Sequence, residues 1–297
     1  MTRLGYYPGC SLHAMAKEFD LSTRAVCAEL GLELVEIEDW NCCGATAAHA
    51  ISDDLAIGLA GRNLALAAQQ GLAAVLAPCA ACFGRLKVAA KALGAGEGDL
   101  PEQFDPRAAA QVKVHNILDA LLNLAGLERI RQRTSQPIVG LRPAAYYGCL
   151  LVRPPEIAEF DDPENPTSME QILEAVGAQP VEWYHKVECC GASLAVTNTP
   201  SAVRLVADIL AHAKSAGANC IAVACPMCQT NLDTRQAAAA ARLGEELNLP
   251  IVYVTELVGL AFGIYPLKLG LGRHIVDATR LLRVAFTART EATGTQG

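Results

Sequence analysis

Positive charge is scarce in this chain. Its 297 residues include 24 lysines and arginines against 31 aspartates and glutamates, so the formal net charge is −7. A general nucleic-acid-binding protein needs a basic surface that displaces phosphate counterions, and this charge balance excludes that class. Nucleotide-binding motifs are missing too, because no G-x-G-x-x-G opens a helix after a strand and no Walker A sequence occurs.

Long apolar runs are absent as well. The longest uncharged stretch, residues 63–84, is interrupted by Gln70, Gly71 and Pro78, whereas a membrane-spanning helix needs ~20 mostly apolar residues. No apolar signal core follows Met1. We therefore expect a soluble, cytoplasmic protein without a membrane span.

The chain is rich instead in apolar residues and cysteine. Hydrophobic residues make up 52% and charged residues 19%, which supports a sizeable core and argues against disorder. The length is about twice the ~150 residues of a typical domain, so two units are expected. Twelve cysteines without a signal sequence favour thiolate or metal chemistry over the disulfides of small secreted scaffolds.

Ten of the twelve cysteines form two copies of one pattern: a single cysteine, a Cys-Cys-Gly triplet and a Cys-x-x-Cys pair. The first quintet is Cys10, Cys42, Cys43, Cys79 and Cys82, and the second quintet is Cys149, Cys189, Cys190, Cys225 and Cys228. Such a repeat indicates a duplicated, two-domain molecule. We predict domains at residues 1–135 and 140–290, a linker near residues 132–143, and a flexible tail at residues 291–297.

Strands and helices alternate in both halves, which predicts an α/β fold with a small, largely parallel sheet in each domain. The predicted strands are residues 4–7, 32–37, 73–77, 144–147, 179–184 and 220–224. The predicted helices are residues 14–30, 55–70, 167–176 and 201–216. Thr167 and Glu170 are expected to form a capping box at the third of these helices. Because ligands gather at the carboxyl ends of parallel strands, and the motif cysteines follow strands, each quintet should form one thiol cluster.

Five thiols in each half leave three interpretations open. A structural zinc ion is closed by four ligands. The usual cubane [4Fe–4S] cluster also takes four, and the closely spaced ferredoxin run that often supplies them is absent here. A Cys-x-x-Cys pair could be a redox dithiol, which would leave the other three cysteines of each quintet unexplained. The spacing favours an iron–sulfur site over zinc and over a disulfide.

The two quintets resemble the duplicated cysteine-rich CCG domains of the heterodisulfide reductase B subunit. The resemblance extends over roughly residues 3–265 and includes Tyr147-Gly148-Cys149, Cys189-Cys190-Gly191-Ala192 and Cys225-Pro226-Met227-Cys228 followed by Asp233. It implies that each quintet binds a non-cubane [4Fe–4S] cluster and that the two clusters, facing one another, cleave or form a disulfide. It also implies two partners that carry electrons, a cubane-carrying C-type subunit and a flavin-carrying A-type subunit.

The substrate is less constrained by the resemblance. Related bacterial complexes serve sulfur oxidation and act on lipoate-bound or other carrier-bound sulfur. We predict this version because the arginine- and alanine-rich composition is typical of a GC-rich bacterium. CCG modules also occur in quinone-linked glycolate and succinate-type enzymes, so an electron-transfer subunit without thiol chemistry is the alternative. A zinc-stabilised interaction module without enzymatic activity is the third interpretation.

Several further residues have expected roles. The candidate proton donors near the quintets are His115, His13 and His185. The histidines expected to be surface or packing residues are His49, His212 and His274. Cys27 and Cys220 lie outside the quintets and should be buried thiols that behave as small apolar residues. Gly44 and Gly191 should let the backbone approach a cluster closely.

Overall fold

Two parallel sheets organise the molecule. The computed structural model describes residues 2–45 and 47–293, and for residues 287–293 it describes the backbone alone. The strands are β1 (Thr2–Tyr6), β2 (Leu32–Glu36), β3 (Ala74–Leu76), β4 (Lys113–His115), β5 (Pro143–Tyr146), β6 (Cys220–Val223) and β7 (Ile251–Tyr253). The first sheet has the order β2-β1-β3-β4 and the second β5-β6-β7, with parallel pairing throughout these strands. The predicted α/β fold with a parallel sheet in each half is confirmed.

Helices connect the strands and cover the sheets. Those of the first half are α1 (Gly9–Ala14), α2 (Lys17–Glu29), α3 (Ala48–Ile51), α4 (Asp53–Gln69), α5 (Ala80–Gly94), α6 (Pro106–Ala110), α7 (Ile117–Asp119) and α8 (Leu127–Arg133). Those of the second half are α9 (Pro155–Ala158), α10 (Ser168–Ala175), α11 (Thr199–Ser215), α12 (Pro226–Thr234), α13 (Gln236–Leu243), α14 (Val254–Ala261), α15 (Pro266–Leu269) and α16 (Arg280–Thr293). Short π-helical and 3₁₀ segments complete them at Ala120–Ala125, Ala192–Leu194 and Leu271–Arg273. Over the described residues, no helix combines the length and apolarity that crossing a membrane requires.

Side-chain capping explains where the helices α4 and α11 begin. The Ser52 hydroxyl accepts the Leu55 amide at the start of α4, at 3.3 Å. The Asn198 side chain accepts the Ser201 amide at the start of α11, at 3.2 Å. Each contact satisfies one of the amides that the first helical turn leaves without a partner. The predicted helix at residues 14–30 corresponds to α2, which begins three residues later, at Lys17, because the backbone of Ala16 lies outside the helical region.

The predicted strand at residues 179–184 is wrong. This segment runs beside β5, where the amides of Gln179 and Val181 donate to the carbonyls of Leu141 and Pro143 at 2.9 and 3.0 Å. It forms no strand, however. Pro143 and Pro180 have no N–H and cannot donate to a ladder. The second sheet therefore has three strands, whereas in the first sheet β2 pairs with β1 along five residues.

The predicted capping box at α10 is also wrong. The Thr167 side chain makes no capping hydrogen bond. A carboxylate oxygen of Asp161 takes its place, accepting the amides of Thr167 and the next residue at 3.0 and 2.8 Å. Glu170 is already engaged elsewhere, because its carboxylate accepts the Tyr147 hydroxyl and pairs with Lys186 at 2.6 Å. Asp161, six residues before Thr167, therefore caps the helix in place of the capping box.

The connection between the halves is packed against the protein. Ile138 and Leu141, in the predicted linker at residues 132–143, are fully buried. The amides of Ser135 and Gln136 donate to the carbonyl of Ala261 in α14, at 3.0 and 2.8 Å. The domain boundaries at 1–135 and 140–290 remain predictions. Of the predicted tail at 291–297, residues 291–293 belong to α16, and residues 294–297 lie outside the described residues.

The two halves share one hydrophobic core. Helix α2 of the first half packs on α14 of the second, where the hydroxyls of Ser22 and Thr255 are hydrogen-bonded at 2.7 Å in the buried interior. The ring of Phe19 stacks on Tyr253 with centroids 4.1 Å apart and planes 4° apart. Fully burying one such aromatic side chain contributes ~1.5–3 kcal/mol. This core fixes the two sheets relative to one another.

Candidate functional site

The ten motif cysteines occupy equivalent places in the two halves. The single cysteine follows β1 or β5, and the Cys-x-x-Cys pair begins the helix after β3 or β6, with Cys79 and Cys225 as the N-caps of α5 and α12. In each Cys-Cys-Gly triplet the first cysteine is exposed and the second is buried, and both cysteines of each Cys-x-x-Cys are buried. Ligand positions at the carboxyl edge of a parallel sheet are typical of α/β proteins.

Equivalent pairs of sulfur atoms approach one another within each half. The Sγ atoms of Cys43 and Cys82 are 3.4 Å apart. Their counterparts in the second half, Cys190 and Cys228, are 3.7 Å apart. The second cysteine of the triplet and the last of the Cys-x-x-Cys therefore meet in both quintets, as the repeat in the sequence predicts.

Hydrogen bonds raise the thiolate character of one cysteine in each triplet. The hydrogen bond with Cys82 lowers the pKa of Cys43 to about 7. The hydrogen bond with Cys149 lowers the pKa of Cys189 to about 6, and the Gly191 amide, 3.3 Å from its sulfur, adds to this effect. Because the thiolate is the form that binds metals, both quintets hold a sulfur prepared for that role.

The two quintets meet at their Cys-x-x-Cys pairs. The thiol of Cys79 interacts with that of Cys225 across the boundary between the halves, and this contact raises the pKa of Cys79. Hydrogen bonds with Cys228 and then with Cys79 lower the pKa of Cys225. The buried Cys-x-x-Cys pairs of the two quintets are therefore neighbours.

Two glycines give the backbone access to the sulfur atoms. Gly9 and Gly148 precede the single cysteines and have φ of +63° and +67°. A Cβ atom at these positions would lie 3.0 Å from Cys82 Sγ and 2.8 Å from Cys228 Sγ respectively. Glycine is required at both places because it alone combines this backbone conformation with so close an approach.

The glycines of the two Cys-Cys-Gly triplets allow a tight turn as well as a close approach of the backbone to sulfur. A Cβ atom on Gly44 would meet Ala48 at 2.8 Å, and one on Gly191 would meet Leu205 at 3.0 Å. Both glycines also have positive φ, at +76° and +77°. They allow the chain to turn tightly against the element that follows each triplet, and their amides approach the sulfur atoms of Cys42 and Cys189 at 3.5 and 3.3 Å.

A buried tyrosine stands beside each quintet. Tyr7 donates its hydroxyl proton to the carbonyl of Asn41 at 2.7 Å, and Tyr146 donates to the carbonyl of Glu188 at 2.6 Å. Each acceptor is the residue immediately before the Cys-Cys-Gly triplet. Burial and then the nearby cysteines raise the pKa of both tyrosines far above the usual range. Sequence analysis missed this role, although the tyrosines flank both single cysteines.

A cavity of about 600 Å³ lies between the halves beside the quintets. Residues adjoining the motif cysteines line it from both sides: Ala45, Ala80, Ala81, Leu150, Ala192 and Met227. Its walls are mostly apolar, and the exposed His49 lies at its rim. The cations in the lining are Arg85, whose charge helps to lower the pKa of Cys43, and Arg153, which pairs with Glu164 at 2.8 Å. The cavity can admit a substrate that touches both halves.

The three candidate proton donors lie around the quintets. His13 is 67% exposed. Nδ1 of His115 is 2.6 Å from a carboxylate oxygen of Asp119. The ring of His185 stacks on the exposed His212 with centroids 3.7 Å apart, and burial and then His212 lower its pKa. No hydrogen bond among the described residues joins any of the three to a motif cysteine, and their role in proton transfer remains a prediction.

His274 differs most from its expected role. Its side chain is fully buried, with Nε2 2.8 Å from a carboxylate oxygen of Glu256 and Nδ1 2.9 Å from the Gln229 amide. Burial, the largest single effect, lowers its pKa, but the charge of Glu256, the hydrogen bond to Glu256 and the charges of Asp233 and Glu18 together outweigh burial and raise it. Cys27 and Cys220 are buried, and burial raises the pKa of each to about 12. These two thiols are inert packing residues, as expected.

The donor set suits an iron–sulfur cluster better than a single ion. Within residues 2–45 and 47–293, no three or more histidine, cysteine, aspartate or glutamate side chains are arranged around one metal-ion position. Structural zinc uses four ligands in a tetrahedron. Each quintet supplies five thiols and no other ligand type, and thiolates are the ligands of iron–sulfur clusters. The residues present therefore fit such a cluster.

Comparison with known families settles the class of domain. The model of the CCG cysteine-rich domain matches this chain twice, at residues 4–87 and 144–233. The chain belongs to the CCG cysteine-rich domain family. Each match contains one complete quintet. The molecule is thus a pair of CCG domains, and the resemblance to the duplicated CCG proteins is confirmed.

Curated relatives match this CCG pair over nearly its whole length. The 8-methylmenaquinol:fumarate reductase membrane anchor subunit of Wolinella succinogenes is 34% identical over 278 residues, which is 93% of this chain and 98% of that protein. The B subunit of the ferredoxin/F420H2-dependent CoB-CoM heterodisulfide reductase of Methanosarcina acetivorans is 26% identical, over 95% of this chain and 96% of that protein. A solved structure of a hypothetical protein from Helicobacter pylori shares the fold. Its TM-score is 0.66 at 11% identity, over 93% of this chain and 52% of that one.

Proposed function

We propose that this chain is the electron-transferring CCG subunit of a multi-subunit oxidoreductase, in which two iron–sulfur clusters act together on one substrate. The observation that carries this proposal is that equivalent sulfur atoms pair in both quintets, at 3.4 and 3.7 Å, beside one cavity lined from both halves. Relatives named as subunits of heterodisulfide and fumarate reductases support it.

The ten cysteines would hold two non-cubane [4Fe–4S] clusters, one for each quintet. When bound, the clusters would supply two one-electron carriers side by side, which suits a two-electron reaction. The chain's own residues prepare the sites: Cys43 and Cys189 have a lowered pKa, and Gly9 and Gly148 clear the space beside sulfur. The mostly apolar cavity walls would limit the access of water to the reacting groups.

A disulfide or thiol is the substrate class that this geometry supports best. Cleaving a disulfide takes two electrons and two protons and gives two thiols, and a cavity lined by residues that adjoin both quintets would place each sulfur near one quintet. In the finer version, the substrate is a lipoate-bound or other carrier-bound sulfur of bacterial sulfur oxidation. The chain lacks nucleotide motifs and cubane-binding runs, so electrons would pass through a cubane-carrying C-type partner and a flavin-carrying A-type partner, in the cytoplasm.

The second candidate is a quinone-linked reductase subunit without thiol chemistry. It is favoured by the relative from Wolinella succinogenes, which is 34% identical and is named for 8-methylmenaquinol and fumarate. In this version the two clusters relay electrons between a quinol and a partner protein, and the cavity between the halves does not bind sulfur.

Electron paramagnetic resonance (EPR) of the full chain, prepared anaerobically with its clusters, separates the two candidates. The thiol proposal predicts that dihydrolipoamide changes the cluster spectrum by binding, whereas a water-soluble menaquinol does not. The opposite pattern supports the quinone-linked function. The Cys225→Ala variant should lose the thiol response and the Cys220→Ala control should keep it. A wild-type protein with neither response contradicts both candidates.

A further inference from the structure

One buried hydroxyl beside the quintets has no partner. Tyr253 is completely buried, and its Oη atom makes no hydrogen bond with any described residue. Buried polar groups are hydrogen-bonded in the great majority of cases, and each exception needs an explanation. A hydroxyl that binds a group delivered after folding, such as a cofactor, is one such explanation.

Tyr253 lies close to the place where the two quintets meet. Tyr253 is the last residue of β7 and pairs with Val223 of β6, two residues before Cys225. The thiols of Cys225 and Cys79, which meet across the halves, both lie within electrostatic range of its hydroxyl. The side chain thus projects from the same sheet edge that carries the second quintet.

The ring of Tyr253 is held in place on two sides. It stacks on Phe19 with centroids 4.1 Å apart. The Tyr253 amide donates to the Glu256 carboxylate at 2.8 Å, which fixes the backbone at the start of α14. A fixed donor binds its acceptor with little loss of conformational entropy. Leaving so rigid a hydroxyl without a partner would serve no structural purpose.

The other two tyrosines beside the quintets provide the contrast. The hydroxyls of Tyr7 and Tyr146 already donate to backbone carbonyls, at 2.7 and 2.6 Å. Of these three, Tyr253 alone keeps its O–H free. Burial and the negative charges of Glu18 and Glu256 raise the pKa of Tyr253 far above its usual range. The hydroxyl therefore stays protonated and keeps its proton available for donation at working pH.

We propose that Tyr253 donates a hydrogen bond to a sulfur atom of the second cluster, at or beside Cys225, and thereby makes the reduction potential of this cluster more positive. The inference rests on the proposed function, because it requires the cluster. Hydrogen bonds to cluster sulfur are one of the factors that set reduction potentials, since they stabilise the more negative, reduced state. Tyr253 is a positioning and tuning residue in this account, and it exchanges no electron itself.

The test is a potentiometric EPR titration of the full chain carrying its clusters, with Tyr253→Phe as the variant. At a fixed solution potential, the ratio of reduced to oxidised second cluster should fall about tenfold, which corresponds to ~59 mV for a one-electron couple. Tyr147→Phe is the matched control, because it removes a buried hydroxyl of the same half that donates to Glu170 and accepts the Met169 amide. This control should leave the potential unchanged.

Thermal unfolding distinguishes a cluster contact from a purely structural role. In the metal-free chain, Tyr253→Phe removes an unpaired hydroxyl and should leave stability unchanged or higher. In the cluster-loaded chain the same change should lower stability. Equal effects on both forms, or an unshifted potential in a loaded variant, would overturn this inference and leave the proposed function standing. A wild-type chain that holds no iron and sulfide would overturn both.

Discussion

The two halves of the molecule make the same contacts at the cysteine sulfur atoms, but they differ in the residues that surround the quintets. In each half a glycine of positive φ packs on the last Cys-x-x-Cys sulfur, and a tyrosine hydroxyl binds the carbonyl before the triplet. The edge strand of the first sheet, however, ends at His115 and that of the second at Tyr253. Equal sets of ligands can therefore have unequal chemistry, because their surroundings set pKa values and potentials.

A histidine–carboxylate pair follows the edge strand in both halves, and its burial differs. In the first half His115 pairs with Asp119 at 2.6 Å, with side chains 15% and 19% exposed. In the second half His274 pairs with Glu256 at 2.8 Å, and both side chains are fully buried. An ion pair without water is costly to break, whereas one that water reaches contributes little. The second half therefore depends more on its pair.

The largest expected effect comes from removing one member of a quintet. Cys79→Ala and Cys225→Ala should each lower the iron content of the anaerobically prepared chain to about half, because each quintet then lacks one cluster ligand. Cys27→Ala and Cys220→Ala remove buried thiols outside the quintets and should leave iron unchanged. Iron and acid-labile sulfide analysis measures both sets. Full iron in the first two variants would show that these sulfurs bind no metal.

The next largest effect concerns the buried ion pair. His274→Gln should lower the free energy of unfolding by ~3–5 kcal/mol at pH 6, because Glu256 is left buried without its cation. His115→Gln, at the less completely buried pair, should cost less, about 1 kcal/mol, because water reaches this pair. Urea unfolding of both variants measures the difference. Equal losses would mean that burial does not distinguish the two pairs.

The same pair gives the wild-type protein a pH dependence of known sign. Because Glu256 raises the folded-state pKa of His274 above the ordinary 6.5, its contribution to stability is fully present below pH ~6.5. It is lost as pH rises through the folded-state pKa, by up to ~1.4 kcal/mol per pH unit. Glu18, Asp233 and Arg273 also face this region, so the His274→Gln profile is the reference. If the profiles of wild type and variant have the same slope, His274 does not titrate there.

A smaller effect is expected from replacing a glycine of positive φ, and a pair of such variants distinguishes backbone strain from steric contact with a cysteine sulfur. Gly148→Ala and Gly71→Ala both place a side chain at positive φ, +67° and +69°, and each should cost ~1–2 kcal/mol of stability. Only at Gly148 would the new Cβ meet Cys228 Sγ, at 2.8 Å, whereas the space at Gly71 is open. Iron content should therefore fall in Gly148→Ala alone. Equal iron in both variants would show that the second quintet tolerates displacement.

The smallest effect tests the equivalence of the two tyrosines. Tyr7→Phe and Tyr146→Phe each remove one buried hydrogen bond to a backbone carbonyl and should each lower the unfolding free energy by ~1 kcal/mol. Denaturant unfolding of the metal-free chain gives both values, and the double variant should show their sum. Clearly unequal losses would indicate that the repeat is not preserved at these positions.

Sequence patterns correctly predicted the helices and strands that depend mainly on residues close to them in the chain. The spacing of the cysteines revealed the duplication, and the buried strands before them placed both quintets at sheet edges. Helices α4 and α11 were predicted within two residues at each end, because periodicity and an N-cap residue act over a few positions. The pairing of equivalent sulfur atoms then follows from the fold of the repeat.

Features that depend on distant partners were not predictable in this way. The capping box at Thr167 failed because Asp161 accepts the Thr167 amide that Glu170 was expected to accept. The strand at residues 179–184 failed because Pro143 and Pro180 cannot donate to the ladder. The β7–α14 unit lies in an apolar stretch with little periodicity. The partner of His274 lies eighteen residues upstream, and no local pattern connects His274 to Glu256.

The central claim is that each quintet binds its own iron–sulfur cluster. Iron and acid-labile sulfide analysis of the anaerobically prepared full chain, combined with Mössbauer spectroscopy, tests it most directly. The account predicts about eight iron and about eight sulfide per chain, with cluster iron in two spectroscopically distinct environments. Zinc in place of iron, or iron and sulfide near zero, would contradict it.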